Sequence, residues 1–318
     1  MILEPIYEQL FLDCSHGFRP GRSAHQALES IWQNIRKMNG YWILDVDIRK
    51  FFDTLDHQHL REILDRRIRD GVVRRLIGKW LKAGVWESGA LSYPDKGTPQ
   101  GGCISPLLSN IYLHTVLDEW FESQIKPRLQ GRAFLVRFAD DFVIGFSHEQ
   151  DARRVMDVLP KRFSRFGLEV HPDKTRLVNF TPPHRHPKGE SETFNFLGFT
   201  HYWGKSKRGY DTVKRKTAKD RMSRTLKAMK RYCEFNRHLK IPVQCKALNR
   251  KLIGHYAYFG ITGNFPDINR IYQQTRRIWF KWLQRRTRGK KGMTWPRFAV
   301  LESTVFTLKK PRVRHSYM

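Results

Sequence analysis

Apolar positions change period along the chain, and the changes mark the elements. From Trp42 to Ile48 they alternate. Trp42, Leu44, Val46 and Ile48 fall on one face, Ile43, Asp45 and Asp47 on the other, which is the pattern of a half-buried strand. Upstream, Gly17, Pro20 and Gly21 set a turn, and Ser23 can cap a helix predicted over Ala24 to Lys37. His57 to Gly84 reads as helical, Tyr93 to Gly102 as turn-rich, and Pro106 opens a long helix to about Ile125. Phe134 to Phe146 is apolar on both sides of Asp140-Asp141, a hairpin with an acidic tip. A helix follows from Ala152 to Phe166. Leu168 to Phe180 and Thr193 to Thr200 read as strands, separated by a Pro-rich surface loop at 182–189. Beyond Tyr210 the period is helical. One face carries Met222, Leu226 and Met229, a second Leu248, Leu252, Tyr256 and Phe259, and a third Ile268, Ile271, Thr275, Ile278 and Leu283. The front of the chain is thus α+β and the back a helical bundle, with no internal repeat.

Charge sharpens that division. The 318 residues carry 59 Lys and Arg against 30 Asp and Glu, a net of +29. Residues 1–200 hold 28 basic and 25 acidic side chains, whereas residues 201–318 hold 31 and 5. The back half therefore suits a polyanionic partner, because each phosphate neutralised releases condensed counterions. Aromatic residues interleaved with its charges can stack on bases. A hydrophobic fraction of 40% supplies a core and argues against a wholly disordered chain. No apolar run reaches the roughly 18 residues of a membrane helix. Met1-Ile2-Leu3-Glu4-Pro5 lacks the basic start and apolar stretch of a secretory signal, so no membrane partner is expected. Cys14, Cys103, Cys233 and Cys245 are far apart and form no C-x-x-C pair. That argues against a zinc finger or disulfide scaffold and for a reducing, cytosolic setting.

Two acidic sites stand out, because acids are costly in otherwise apolar strands. They are Asp47 and the pair Asp140-Asp141. Carboxylates presented from neighbouring strands make a hard-oxygen site suited to Mg²⁺, and two such ions can stabilise the attacking and leaving oxygens of a phosphoryl displacement. Between them in sequence runs Gly97-Thr98-Pro99-Gln100-Gly101-Gly102-Cys103-Ile104-Ser105-Pro106-Leu107-Leu108. Its glycines permit close backbone approach to a ligand, and Gln100 offers a donor and an acceptor; the same loop also reads as a structural turn before a helix. His184, His186 and His201 lack the spacing that fixes zinc geometry and are not expected to bind metal.

Together these segments resemble the group II intron reverse transcriptase/maturase family. The resemblance rests on Gly17-Phe18-Arg19-Pro20-Gly21-Arg22-Ser23, Asp47-Ile48-Arg49-Lys50-Phe51-Phe52-Asp53, Gly97 to Leu108, and Phe138-Ala139-Asp140-Asp141. His171-Pro172-Asp173-Lys174-Thr175 and Phe196-Leu197-Gly198-Phe199 follow in the family's order. Leu248-Asn249-Arg250-Lys251-Leu252-Ile253-Gly254-His255-Tyr256 and the closing Pro311 to Tyr317 resemble its maturase domain. The resemblance implies a right-hand polymerase palm, an antiparallel sheet with helices, over residues 41–200, with a remnant of fingers at 1–40. A basic helical thumb/maturase domain at 201–290 and a basic tail at 291–318 complete it.

The implied activity is RNA-directed DNA synthesis with assistance to intron folding, splicing and mobility. The alternative is a maturase that only binds RNA. Asp47, Asp140 and Asp141 are implied to hold two Mg²⁺, with Mn²⁺ as a substitute, and Lys174 to lie near the leaving pyrophosphate. Phe52 is implied to exclude a ribose 2′-hydroxyl. Pro99, Gln100, Gly101, Arg19 and Arg22 would meet nucleotide or template, and Phe196, Leu197, Gly198 and Phe199 the primer end. Arg250, Lys251, Arg276, Arg277, Lys281, Arg285 and Arg286 would meet RNA. The implied partners are intron RNA, an RNA template, a DNA primer and deoxynucleoside triphosphates in a bacterial cytosol. The chain opens just before the Gly-Phe-Arg-Pro block, where the family has an upstream finger region. No His/Cys-rich endonuclease module follows the maturase-like segment, so target nicking is not expected.

Overall fold

The computed structural model describes residues 3–37, 41–83, 85–87, 90–92, 96–98, 102–185, 191–206, 208–286, 293–304 and 306–316. The chain divides into two compact units, Met1–Leu197 and Gly198–Met318.

The first unit opens with α1 (Leu3–Glu8) and α2 (Ala24–Lys37). Ala27, Leu28, Ile31 and Ile35 form the buried stripe of α2 at helical spacing. Strand β1 (Trp42–Val46) follows, then α3 (Phe51–Thr54), α4 (His57–Asp65) and α5 (Gly71–Leu81). The stretch expected to be one helix from His57 to Gly84 is thus two. Asp70 ends the irregular link by accepting from Val72 N and Val73 N, as Asp56 does for Gln58 N and His59 N at the start of α4. A short ribbon, β2 (Val85–Glu87) and β3 (Ala90–Ser92), precedes α6 (Ser105–Leu113). The helical path continues from α6 through wide turns at His114–Asp118 and Phe121–Ile125, so the long helix predicted to about Ile125 is present but widened in places. The hairpin β4 (Ala133–Phe138) and β5 (Asp141–Phe146), α7 (Glu149–Ser164), β6 (Arg176–Asn179) and β7 (Phe194–Phe196) complete the unit.

Four strands form one antiparallel sheet in the order β4-β5-β1-β6. Leu44, Val46 and Ile48 face a large core shared with α4, α6 and α7, while Asp45 and Asp47 face the other way.

The second unit begins with the hairpin β8 (Phe199–Lys205) and β9 (Asp211–Thr217), then α8 (Lys219–Phe235), α9 (Ile241–Phe259), α10 (Phe265–Gln284) and α11 (Trp295–Thr304). Here β9 corrects the expectation of helix beyond Tyr210. Its inward positions are Val213, Arg215 and Thr217, and the two polar ones hide the alternation. The predicted apolar faces meet in one core: Met229, Leu248, Leu252, Tyr256, Ile268, Ile271 and Leu283 are all buried in it. The stretch read as a basic tail adds α11, whose Phe298 is buried against Trp279 and Phe280. Among the described residues no helix is long and apolar enough to cross a membrane.

Candidate active site

Asp47 follows directly on β1. The β1–β5 register sets Val46 opposite Phe142, so one further step brings Asp47 beside Asp141. Asp45, two residues earlier, shares that face. Asp140 lies in the two-residue turn between Phe138 and Asp141, which pair across the hairpin. The other turn residue, Ala139, has φ 57°, a left-handed conformation that costs a non-glycine residue roughly 1–2 kcal/mol.

The carboxylates feel one another. Burial pushes Asp45 up to about 6; Arg176, 3.5 Å away, opposes the rise, and Asp141 and Asp47 add to it. Asp140 is also raised, by burial first and further by Asp47, against a backbone hydrogen bond and the pull of Arg137. This is concentrated negative charge that a cation relieves. Lys174 supplies one: its Nζ donates to Asp47 Oδ2 at 3.0 Å. The turn bearing Lys174 is fastened to the end of β1, since His171 N donates to Asp47 O at 2.8 Å and Asp47 N to Thr175 Oγ1 at 3.5 Å. Among the described residues no three His, Cys, Asp or Glu side chains are gathered closely enough to hold a metal ion as they stand. The donor chemistry nonetheless suits a hard divalent cation, being carboxylate oxygens.

Phe52 sits in α3, half-buried, with its ring edge-on to Phe51 at 5.3 Å. The Gly97 segment leans on the same turn: Thr98 N donates to Phe52 O and Gly97 N to Leu55 O, both at 2.7 Å. Gly97 has φ 86°, and a Cβ there would collide with the carbonyl oxygens of Phe52 and Asp53. Pro99, Gln100 and Gly101 lie outside the described residues.

Arg19 requires a correction. Its Nε and Nη2 donate to the Glu8 carboxylate, Nη1 to the carbonyls of Leu12 and Ser15, and Nη2 also to that of Phe11. All five donors are occupied, so Arg19 fastens the Gly-Phe-Arg-Pro turn and offers nothing to a nucleotide. Arg22 pairs with the exposed Asp13 at 2.5 Å. Leu197 and Gly198, with φ 50° and 77°, make the tight turn between Phe196 and Phe199. Phe196 is buried, and the buried Phe199 ring packs on Tyr258 and Phe259 at 5.7 and 5.1 Å.

Of the basic residues, Arg250, Lys251, Arg277, Lys281, Arg285 and Arg286 are exposed. Arg276 is the second correction. It makes a fork to the buried Glu302, with three contacts of 2.5–2.8 Å, and so clamps α11 to α10. It also donates to Gln273 and lies over the Tyr272 ring. His201 is fully buried in β8, and burial drives it far below its usual range; His186 lies outside the described residues.

One group escaped the sequence reading. Arg137 lies fully buried in β4 beneath the Asp140-Asp141 turn, paired with the equally buried Asp118. Burial works against its charge, yet Asp118 more than offsets this and holds it protonated. The available signal was a lone arginine inside the apolar run Phe134-Leu135-Val136-Arg137-Phe138.

Residues 1–201 match the family model for reverse transcriptase (RNA-dependent DNA polymerase). Group II intron-encoded protein LtrA of Lactococcus lactis is 48% identical over 129 residues, 40% of this chain and 21% of LtrA. An uncharacterized 91 kDa protein in the cob intron of Schizosaccharomyces pombe is 46% identical over 123 residues, 39% of this chain and 15% of that protein. The chain thus matches about a fifth or less of the length of these relatives. Apo telomerase from Candida tropicalis shares the fold at a TM-score of 0.52 and 15% identity, over 95% of this chain and 50% of that one. With the acid-bearing strand and the acidic hairpin side by side in one antiparallel sheet, and with the family model matched across that whole unit, the chain belongs to the reverse transcriptase family and resembles its group II intron-encoded members.

Proposed function

We propose that the chain is an RNA-directed DNA polymerase of a group II intron, and that it also assists intron folding, splicing and mobility. The observation that carries this reading is the placement of Asp47 at the end of β1 beside Asp141, with Asp140 in the adjoining turn and raised by burial and by Asp47. Asp47, Asp140 and Asp141 would hold two Mg²⁺, which when bound acidify a primer 3′-hydroxyl and stabilise the departing pyrophosphate. Residues 41–200 act as palm and the basic helical unit as thumb and maturase.

The chain's own groups contribute by position and field. Lys174 neutralises Asp47 in the absence of a divalent cation, and its exposed ammonium is free to turn toward a phosphate when one arrives. Phe52, its ring against Phe51 and its carbonyl bonded by Thr98 N, excludes a 2′-hydroxyl. Gln100, in the Pro-Gln-Gly sequence, meets the nascent base pair. Arg250, Lys251, Arg277, Lys281, Arg285 and Arg286 neutralise RNA phosphates, with Lys251 and Arg285 lying over the rings of Tyr232 and Trp282.

A second reading, a maturase that binds RNA without synthesis, rests on the exposed cations of α9 and α10 alone. Primer extension on an RNA template with deoxynucleotides and Mg²⁺ separates the two. The wild type extends, and Asp140→Ala abolishes extension while binding intron RNA nearly as tightly. Extension by Asp140→Ala near the wild-type rate removes Asp140 from the site, and wild-type RNA binding without any extension selects the second reading.

A further inference from the structure

Arg137 makes five hydrogen bonds with no exposure to solvent. Nε donates to Asp118 Oδ1 at 2.8 Å and Nη2 to Asp118 Oδ2 at 2.5 Å. Nη2 also donates to Ser15 Oγ at 2.8 Å, and Nη1 to Asn110 Oδ1 at 2.9 Å and to the Ala139 carbonyl at 3.0 Å. The last bond is the informative one, because Ala139 is the left-handed residue that forces the turn and Asp140 is its neighbour. A strained backbone persists only where its surroundings over-determine it.

The surroundings here come from two separate sequence blocks. Asn110, on α6, receives Arg137 on its oxygen and donates its Nδ2 to Gly17 O at 2.7 Å. The Gly-Phe-Arg-Pro segment runs alongside β4: Arg137 N donates to Cys14 O at 2.8 Å and His16 N to Arg137 O at 2.9 Å. Gly17 then presses on the turn itself, where a Cβ would overlap the backbone of Phe138 and Ala139. Side chain and backbone of residue 137 are both pinned, and the pinning ends at the carbonyl next to Asp140.

We propose that Arg137 is the positioning residue of the carboxylate turn: through the Ala139 carbonyl, backed by Asp118, Asn110 and Gly17, it fixes how Asp140 and Asp141 are presented and thereby sets the affinity for divalent cation. The assignment rests on the metal reading above. It explains why a charge is buried in a strand where an apolar residue of similar size serves stability as well or better. It also explains why the charge is an arginine, since only a planar fork serves four partners in fixed directions.

The test uses the full chain and reads Mn²⁺ binding by electron paramagnetic resonance without nucleic acid, alongside urea unfolding. Arg137→Lys keeps a cation beside Asp118 and loses the fork; Gly17→Ala leaves the ion pair intact and displaces the turn. Each is expected to weaken Mn²⁺ binding by about tenfold or more, the usual cost of removing a group that orients a metal ligand. The Mg²⁺ concentration for half-maximal extension should rise in parallel. A merely structural role lowers the urea midpoint and leaves Mn²⁺ affinity unchanged, and that result in folded Arg137→Lys overturns the proposal. Should Arg137→Lys not fold, Asn110→Ala, which keeps the ion pair and cuts the link to Gly17, is judged by the same criterion. Wild-type Mn²⁺ binding that survives Asp140→Ala overturns the metal reading instead, so the two failures are distinct.

Discussion

Arg19→Met tests whether the Arg19 guanidinium fastens its own turn or meets a nucleotide. Methionine keeps much of the side-chain stem and removes every donor. The Leu12 and Ser15 carbonyls, bonded at 2.7 and 2.8 Å, lose their partner in a buried setting, at roughly 1 kcal/mol or more each. Glu8 loses a bidentate partner, but its side chain is 30% exposed and stays hydrated, so that loss is discounted to about 1 kcal/mol. The total is about 3 kcal/mol, the lower end of what removing one member of a buried pair costs. With a urea slope of about 2 kcal/mol per molar, the midpoint should fall by about 1.5 M. Equilibrium unfolding in urea, followed by tryptophan fluorescence, measures this. Nucleotide affinity per folded molecule should match the wild type. A midpoint within about 0.2 M of wild type, together with abolished nucleotide binding, refutes the structural assignment and returns Arg19 to the nucleotide site.

Three further outcomes follow from the geometry. Phe52→Ala removes the ring and should raise ribonucleotide incorporation, at a stability cost of about 1–2 kcal/mol because the ring is only half-buried; an unchanged deoxy/ribo ratio in the folded variant refutes the steric role. Replacing Arg277, Lys281, Arg285 and Arg286 together should flatten the salt dependence of RNA binding by about one logarithmic unit for each phosphate no longer neutralised, whereas a wild-type slope means this face never meets RNA. His255, stacked on Phe259 at 4.6 Å, is held down to about 4 by burial. A histidine depressed in the fold contributes stability that is full above its unfolded value and fades as pH falls toward 4, here up to about 3 kcal/mol. His255→Phe should therefore lose less stability than wild type between pH 7 and 4, and parallel pH profiles refute the linkage.

What the sequence discloses follows its local periods. Strand β1 and the acidic hairpin are legible because two-residue alternation and an apolar–acidic–apolar run need no distant information. The three helical faces of the second unit are legible for the same reason. By contrast, β9 is hidden because its inward side chains include Arg215 and Thr217, so period two carries no hydrophobic signal. The break between α4 and α5 rests on Asp70 acting as a cap, one polar residue among many in that stretch. Asp47 and Asp141 are each visible as acids in strands, but their adjacency depends on the β1–β5 register, which local pattern does not set.

Charge is where sequence reading fails systematically, because a count treats every cation as available. Arg19 is satisfied by a glutamate 11 residues away and Arg276 by one 26 residues away, and both are withdrawn from any ligand. Arg215 lies inside β9 and Arg137 inside β4. The surface left for a polyanion is therefore smaller than the formal charge of residues 201–318 implies. The salt slope of RNA binding should report the exposed cations of α9 and α10 rather than that total. In the first unit the same withdrawal has the opposite consequence. Arg137 is sealed from solvent and gains a fixed geometry, and the four partners of its fork tie the stretch before the glycine-arginine turn, the helical path from α6 and the acidic hairpin into one base. Segments that in sequence look like independent motifs are thereby parts of a single support, and a substitution at Gly17, Asn110 or Arg137 should be felt at Asp140.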